Sequence, residues 1–517
     1  MTKNKESNNK KNCLIGPLNS IERNEKAFQV RLEAAASQMI LPLTKHPCNG
    51  DEQLYPTKIG SFTKGLPHNS HGTVDLQAYN QFIKALKTGK ERHFESIPLG
   101  GDVKLANPQA VYAFDLAGTD CHNLGIAVPP SFNSAWQAGE MAELYWQALT
   151  RDVPFLEYGS NPLTMEAASD LSSFSDFRGP KANSKVTTDT LFRGDTPGDL
   201  TGPYISQFLL KDIPYGATTI VQRYRTTVTS SDYMTSYDKW LDIQNGSIPA
   251  APLFDPTPRY IRNGRDLGEY VHQDFSFQGP LSACLVLLSY GKGALDESNP
   301  YLKSETQGSF ITFGAAHILD LVTKVGRAAL EAAWFQKYLV HRRLRPEEFG
   351  GRVHNHMIGT KCYPINSELL NCKVIGKIFK KFRSYLLPMS YPEGCPIHPA
   401  YPAGHAAIAG AGATILKAFF KESFEIPNPV VSSSDGLTLL PYSGEPLTIG
   451  GELNKLAANI SLGRDTAGVH WRSDGIEGMK LGEAVAISIL RDYRATYNEK
   501  FSGFSFVKFD GTPITIK

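Results

Sequence analysis

AAHILDLVTKVGRAALEAAWFQKYLVHRRLR, residues 315–345, sets Ile318, Leu321, Val322, Val325, Ala329, Ala332 and Ala333 at helical spacing. An apolar stripe several turns long has to be covered by other helices, so this segment reads as a long helix of a bundle, closed by Pro346. Downstream, 403–420 reads as a second helix, rich in Ala, whose Gly410 and Gly412 let its backbone approach a neighbour closely. Asp474 with Glu477 three positions on is a capping signature for a last long helix reaching about Tyr497. Upstream, 23–43 reads as a helix ending at Pro42, with further helices at 75–88 and 133–151; the text between them is rich in Gly, Pro, His and Asn. Few alternating apolar stretches occur. The expected class is mainly α, a helical bundle with a loop-rich N-terminal half. Residues 1–20 read as a mobile tail, 21–254 as the loop-rich half of the same globular unit, and 255–517 as the helical region.

The 517 residues are ample for a core, and 53 Lys+Arg against 51 Asp+Glu leave a nearly balanced surface. That balance gives no reason to expect nucleic acid or an anionic membrane as partner, so any positive field is local. No run of eighteen apolar residues exists, and MTKNKESNNKKN lacks an apolar signal core. A cytoplasmic location is the default expectation. The seven cysteines are scattered without a C-x-x-C, which argues against a zinc or redox motif.

The local positive field is found in three segments. Lys337, His341 and Arg345 stand at i, i+4 and i+8, one helical stripe drifting by roughly 40° per step. Pro402-Ala403-Gly404-His405 opens a helix, where backbone N–H groups and the helix dipole favour an anion. Arg464-Asp-Thr-Ala-Gly-Val-His470 follows about sixty residues later. Cations near the ends of apolar helices need an anionic partner, either a bound tetrahedral or trigonal oxyanion or ordinary ion pairs, for instance to Glu347 or Glu348. GAGA at 410–413 lacks the strand and third glycine of a dinucleotide loop, and His354 and His356 have no ligand pair at metal spacing.

In order and spacing, these blocks (HRRLRPEEFGG, HPAYPAGHA and RDTAGVH) resemble the vanadium-dependent haloperoxidases and the acid phosphatases that share their fold. The eight-residue step from Lys337 to Arg345, and His398 seven residues before His405, resemble the algal and cyanobacterial bromoperoxidase branch. The resemblance runs from about residue 255 to about 495. It implies a vanadate cofactor held by Lys337, Arg345, Gly404, Arg464 and His470, with His470 bonded to vanadium. It implies catalytic roles for His405, His398 and Lys337, with hydrogen peroxide, halide and an organic acceptor as reactants. Because relatives form large assemblies, it also implies a homo-oligomer built from dimers. Asp474 is read as able to fix the His470 tautomer.

One position departs from the pattern. The superfamily usually has serine where this chain has Ala403, which cannot donate a hydrogen bond. Losing such a bond to a charged group costs about 1.5–3 kcal/mol, or roughly 10- to 100-fold in affinity. A histidine-nucleophile phosphatase and a non-catalytic oxyanion-binding or shell-forming protein remain open alternatives. The polar loop 295–307 carries enough oxygen ligands to suggest a structural divalent cation.

Overall fold

The computed structural model describes residues 16–517. Most of the expected tail, residues 1–15, therefore lies outside the described residues. The longer helices, in chain order, are α1 (Ser20–Met39), α2 (Leu76–Thr88), α3 (Ala135–Thr150), α4 (Pro162–Leu171), α5 (Tyr237–Gln244), α6 (Gly264–Gln273), α7 (Gln278–Ser289) and α8 (Ala315–Phe335). They continue with α9 (Pro346–Met357), α10 (Lys373–Phe382), α11 (Gly404–Phe419), α12 (Ile449–Thr466) and α13 (Arg472–Arg494). The described strands form three antiparallel hairpins, at 213–220, 430–441 and 504–516.

Helix α11 is the hub, packed on α13, α8 and α12, while α12 also packs on α6. Every residue of α11 is buried except His405. The small residues expected to allow close approach do so: a Cβ on Gly410 would sit 2.4 Å from the Met479 carbonyl oxygen of α13. From the other side, a Cβ on Gly482 would sit 1.9 Å from the Ala407 oxygen. The α11–α13 contact is therefore backbone to backbone, and the Ala403 N–H, bonded to the Asp474 carbonyl at 2.8 Å, ties the start of α11 to the start of α13.

The loop-rich half contributes to the core. Tyr145 and Trp146 of α3 are fully buried in a cluster with Trp240, Phe349, Met389 and Trp471. Among the described residues, no helix is long and apolar enough to cross a membrane. The six described cysteines are unpaired thiols.

Three helix expectations are corrected, the first being that the helix expected at 23–43 runs Ser20–Met39 and ends before Pro42. The 315–345 segment is not one helix: α8 ends at Phe335, Gln336–His341 widen into a π-helical turn, and Arg342 reverses the chain at φ 40°. Pro346 opens α9 rather than closing α8, because its missing N–H is harmless at a first helical position. Asp474 lies in the first turn of α13, which starts at Arg472, so it is not the first cap residue.

Candidate active site

The break after α8 separates Lys337 from Arg345 in direction and brings both to one spot. In the π-turn the Arg342 N–H reaches back five residues to the Lys337 carbonyl at 2.9 Å, a wider loop that re-aims side chains and often marks function. The fully buried Lys337 ammonium donates to the carbonyls of Pro399 (2.8 Å) and Ala400 (2.7 Å). Arg345, also fully buried, caps α9. Its guanidinium donates from Nε to the His398 carbonyl (2.9 Å) and from Nη1 to the Val469 carbonyl (2.7 Å). Nη1 also lies 2.9 Å from His470 Nε2, and Nη2 lies 2.9 Å from His398 Nδ1. The expected single stripe of Lys337, His341 and Arg345 does not exist. His341 lies apart, edge-on to Tyr401.

Arg464 and His470 are joined by a helix-ending turn that accounts for their spacing. Gly468 adopts φ 84°, its N–H bonds to the Asp465 carbonyl at 2.7 Å, and the Val469 N–H bonds to the Arg464 carbonyl at 3.0 Å. This left-handed glycine closure turns the chain back, so His470 returns to the level of Arg464. Arg464 Nη1 donates to the Val271 carbonyl at 2.7 Å, and its buried Nε has no partner.

The start of α11 supplies the third side. Its first intrahelical bond runs from the Ala407 N–H to the Ala403 carbonyl at 3.0 Å, which leaves the N–H groups of Gly404, His405 and Ala406 ahead of the ladder. A Cβ on Gly404 would lie 2.9 Å from Leu330 of α8, so this glycine also permits helix packing. Ala403 is fully buried, and its N–H bonds to the Asp474 carbonyl at 2.8 Å. The His405 side chain, one-third exposed, points its Nε2 at Asp274 Oδ1, 3.1 Å away just beyond α6. Its pKa is lowered by burial and by Arg464 and raised back by Asp274. Burial and the neighbouring cations outweigh the Asp274 carboxylate, so the net direction is downward.

Asp474 knits the segments together. One carboxylate oxygen accepts from His470 Nδ1 (2.7 Å) and from the Trp471 N–H (3.1 Å), and the other accepts from Arg343 (2.9 Å). Arg343 in turn pairs with Glu140 of α3 at 2.8 Å. Burial, with Arg345 and Lys337 close by, holds the His470 imidazole well below its usual pKa, so the ring is neutral. With its proton on Nδ1 toward Asp474, the Nε2 lone pair is directed at the cationic cluster.

The donor set fits an oxyanion. Among the described residues, none of Lys337, Arg345 and Arg464 forms an ion pair with a carboxylate. Glu347 is taken by Lys64 (2.9 Å), and Glu348 accepts from the Arg345 backbone N–H and from Thr63. Burial together with Arg345 and Arg464 pushes the Lys337 pKa well down, a cost that a bound anion would offset. Three buried cations held by carbonyls, ring nitrogens and the Tyr391 hydroxyl, with the buried Arg464 Nε unpartnered, repel a free metal cation and suit a polyanion with several oxygen acceptors.

The chain is 35% identical to the vanadium-dependent bromoperoxidase of Corallina pilulifera, with 97% of this chain and all of that protein covered. The chain belongs to the vanadium-dependent bromoperoxidase family. It is also 35% identical to the bromoperoxidase of Ascophyllum nodosum, over 96% of this chain and 92% of that one. The homohexameric structure of the second vanadate-dependent bromoperoxidase of that alga superposes with a TM-score of 0.93 at 31% identity, covering 100% of this chain and 94% of the other. The family model described as the VCPO second helical-bundle domain matches residues 322–499. The relationship thus extends well beyond residues 255–495, into the loop-rich half.

The seven residues that the resemblance implies for the site (Lys337, Arg345, His398, Gly404, His405, Arg464 and His470) converge on this region, while His341 does not. Three contributors were not foreseen there. Asp274 faces His405, Arg343 ties Asp474 to α3, and the Trp334 ring lies 4.7 Å from the His398 ring and 5.9 Å from Lys337 Nζ. Each depends on long-range proximity that spacing does not encode. In the 295–307 loop, Asp296 caps Ser298 and Glu297 pairs with Lys421. No group of three or more His, Cys, Asp or Glu is gathered for a metal among the described residues, so the structural cation finds no support.

Proposed function

We propose that this protein is a vanadate-dependent bromide peroxidase, converting hydrogen peroxide, bromide and a proton into hypobromous acid and water, the former then halogenating organic acceptors. One vanadate per chain would be held by Lys337, Arg345, Arg464 and the Gly404 N–H, with His470 Nε2 as the bond to vanadium. Bound vanadate would supply Lewis acidity, polarising the peroxide for halide attack without changing oxidation state.

The residues divide the remaining work. His405, neutral and oriented by Asp274, takes a proton from incoming peroxide. Lys337 and Arg345 donate hydrogen bonds to charge as it develops on oxygen, in a site where burial strengthens each of them. His398, fixed between Arg345 and Trp334, holds the Arg345 guanidinium in place beside the anion. Asp474 keeps the His470 proton on Nδ1. The observation that carries this reading is the buried Lys337–Arg345–Arg464 triad without a carboxylate, gathered around His470 Nε2.

The same triad would accept phosphate, with His470 as nucleophile and His405 as general acid, which makes a phosphatase the second reading. Purified protein incubated with orthovanadate, desalted and assayed separates the two. Bromination of a diketone reporter requiring both vanadate and peroxide, slowed during reconstitution by excess phosphate, is expected. Bromination by vanadate-free protein, or aryl phosphate hydrolysis in its place, would overturn the assignment. We also infer a homo-oligomeric assembly, supported by the homohexameric relative.

A further inference from the structure

Lys64, Lys337, Lys417 and Lys455 are the buried lysines among the described residues. Lys64 and Lys455 lie 2.9 and 2.5 Å from the carboxylates of Glu347 and Glu452, and Lys337 belongs to the site above. Lys417, fully buried in the last turn of α11, has no carboxylate at that range. Its Nζ donates instead to Oδ1 of the Asn454 carboxamide on α12 at 3.1 Å and to the Val507 carbonyl of the C-terminal hairpin at 2.7 Å. The Phe509 ring covers the nitrogen, its centroid 4.2 Å away. An ammonium held this way, by neutral oxygens in an apolar setting, is costly to keep charged.

Glu483 of α13 completes the group. Its Oε1 lies 3.9 Å from Lys417 Nζ and accepts the Phe509 N–H at 2.9 Å. Burial lowers the Lys417 pKa to about 8 and raises that of Glu483, so a neutral amine beside a neutral carboxyl is accessible near neutral pH. On its far side the Asn454 carboxamide donates from Nδ2 to the Pro197 carbonyl at 2.9 Å. Pro197 is exposed, which sets that nitrogen toward the surface. Amine, carboxamide and carboxyl thus meet in one dry spot, with the amide nitrogen on the side nearest solvent.

From this geometry we propose that Lys417 and Asn454 form a modification site, joined after folding by an intramolecular isopeptide bond. Glu483 takes a proton from the Lys417 ammonium, and the freed Nζ lone pair attacks Asn454 Cγ, one bond from the oxygen it already contacts. The Nζ–Cγ bond forms, the Cγ–Nδ2 bond breaks, and the proton held by Glu483 and those released by Nζ pass to the leaving nitrogen. The products are one secondary amide and one ammonium ion, which departs past Pro197 with the charge that lysine carried; no oxidant or cofactor is needed. Two features favour the step. The reactants are already held together, so the attack is unimolecular, and a buried ammonium is exchanged for a neutral amide. The bond joins α11 to α12 across 37 positions, near the ends of these helices away from Gly404 and Arg464, and it restricts the unfolded chain as other crosslinks do.

The proposal does not depend on what the site binds. Its test is the intact mass of the folded full chain, followed by proteolysis and sequencing of the peptides. The mass is expected to fall short of the sequence mass by one ammonia, and the digest to contain a branched peptide joining the segments around Lys417 and Asn454, uncut by trypsin at Lys417. Asn49, Asn245 and Asn263, each followed by glycine, can also shed ammonia as succinimides; hydroxylamine opens those and leaves the isopeptide intact. Lys417→Met serves as the blank for the branched peptide. Glu483→Gln, which still offers an oxygen to the Phe509 N–H, is expected to lose the crosslink, and Glu483→Asp to regain part of it. A folded parent of full sequence mass, or an ammonia loss that maps elsewhere, overturns the proposal whether or not the variants fold. A crosslink undiminished in folded Glu483→Gln overturns the role of Glu483 in moving the proton.

Discussion

Oδ2 of Asp474 lies 2.7 Å from Nδ1 of His470, and both side chains are buried. That one contact leaves the lone pair on Nε2, which faces Arg345 Nη1 at 2.9 Å. The same carboxylate anchors Arg343 and the N-terminus of α13, so the geometry of the nitrogen proposed to bond vanadium is built into the helix start. Replacing Asp474 by Asn leaves an acceptor of similar size but weakens the hold on the tautomer. Orthovanadate for half-maximal reconstitution is expected to rise about 10- to 100-fold, the usual cost of losing such an outer partner. An unchanged value would mean that another group sets the tautomer.

His470 and His405 have different partners, Arg345 and Asp474 for the one and Asp274 for the other. His470→Ala removes the nitrogen that would bond the metal, and stable vanadate retention after desalting is expected to fall by at least about 100-fold. His405→Ala is expected to retain more metal but lose turnover by about 10²- to 10⁴-fold, the typical worth of a positioned acid–base group. Metal content and kcat measured on the same samples check the division. Equal metal loss in both variants would contradict it.

The contact between Asp274 and His405 predicts a pH effect with a definite sign. Asp274 raises the His405 pKa against burial and Arg464, which lower it. Removing the carboxylate as Asp274→Asn therefore lowers the pKa further, and the ring becomes a proton acceptor at a lower pH. The acid limb of kcat/KM for peroxide is expected to move to lower pH, measured at saturating bromide. A shift in the opposite direction would show that His405 is not the group whose deprotonation that limb reports.

Periodicity made the bundle legible because the apolar faces of α3, α8, α11 and α13 are long enough to outvote local exceptions. The expected 133–151, 75–88 and 403–420 segments match Ala135–Thr150, Leu76–Thr88 and Gly404–Phe419 to within about two residues. The interruption after Phe335 was not legible, since a run of Gln, Lys, Tyr, Leu, Val and His has no helix breaker in it. Its π-turn and the left-handed Arg342 are sustained from outside, by Glu52 pairing with the Arg342 guanidinium at 2.6 Å and by Lys337 bonding to the 399–400 carbonyls. In the site, residues carried by short motifs could be found. Partners brought in from 130 or 200 positions away, Asp274 for His405 and Glu140 for Arg343, have no local signature.

Ala403 is the position where a single atom tests the anion-site reading. Its methyl is fully buried, it is the residue that caps α11, and its N–H is already committed to Asp474. Serine is well tolerated at a helix cap, so Ala403→Ser is expected to leave the fold and the thermal midpoint essentially unchanged. A new hydroxyl has two possible partners: the Ala406 N–H within the first turn, or an oxygen of the bound oxyanion. Donation to the anion would tighten vanadate binding by up to about 10- to 100-fold, the worth of one hydrogen bond to a charged group. The concentration for half-maximal reconstitution, compared in parent and variant, reads this directly. The expected result is tighter binding, because the hydroxyl restores a donor at the position where the superfamily usually carries one and Ala403 has none. A value that stays the same or weakens would show that the hydroxyl turns to its own helix, and that the cations and the open N–H groups of Gly404 and His405 already saturate the anion.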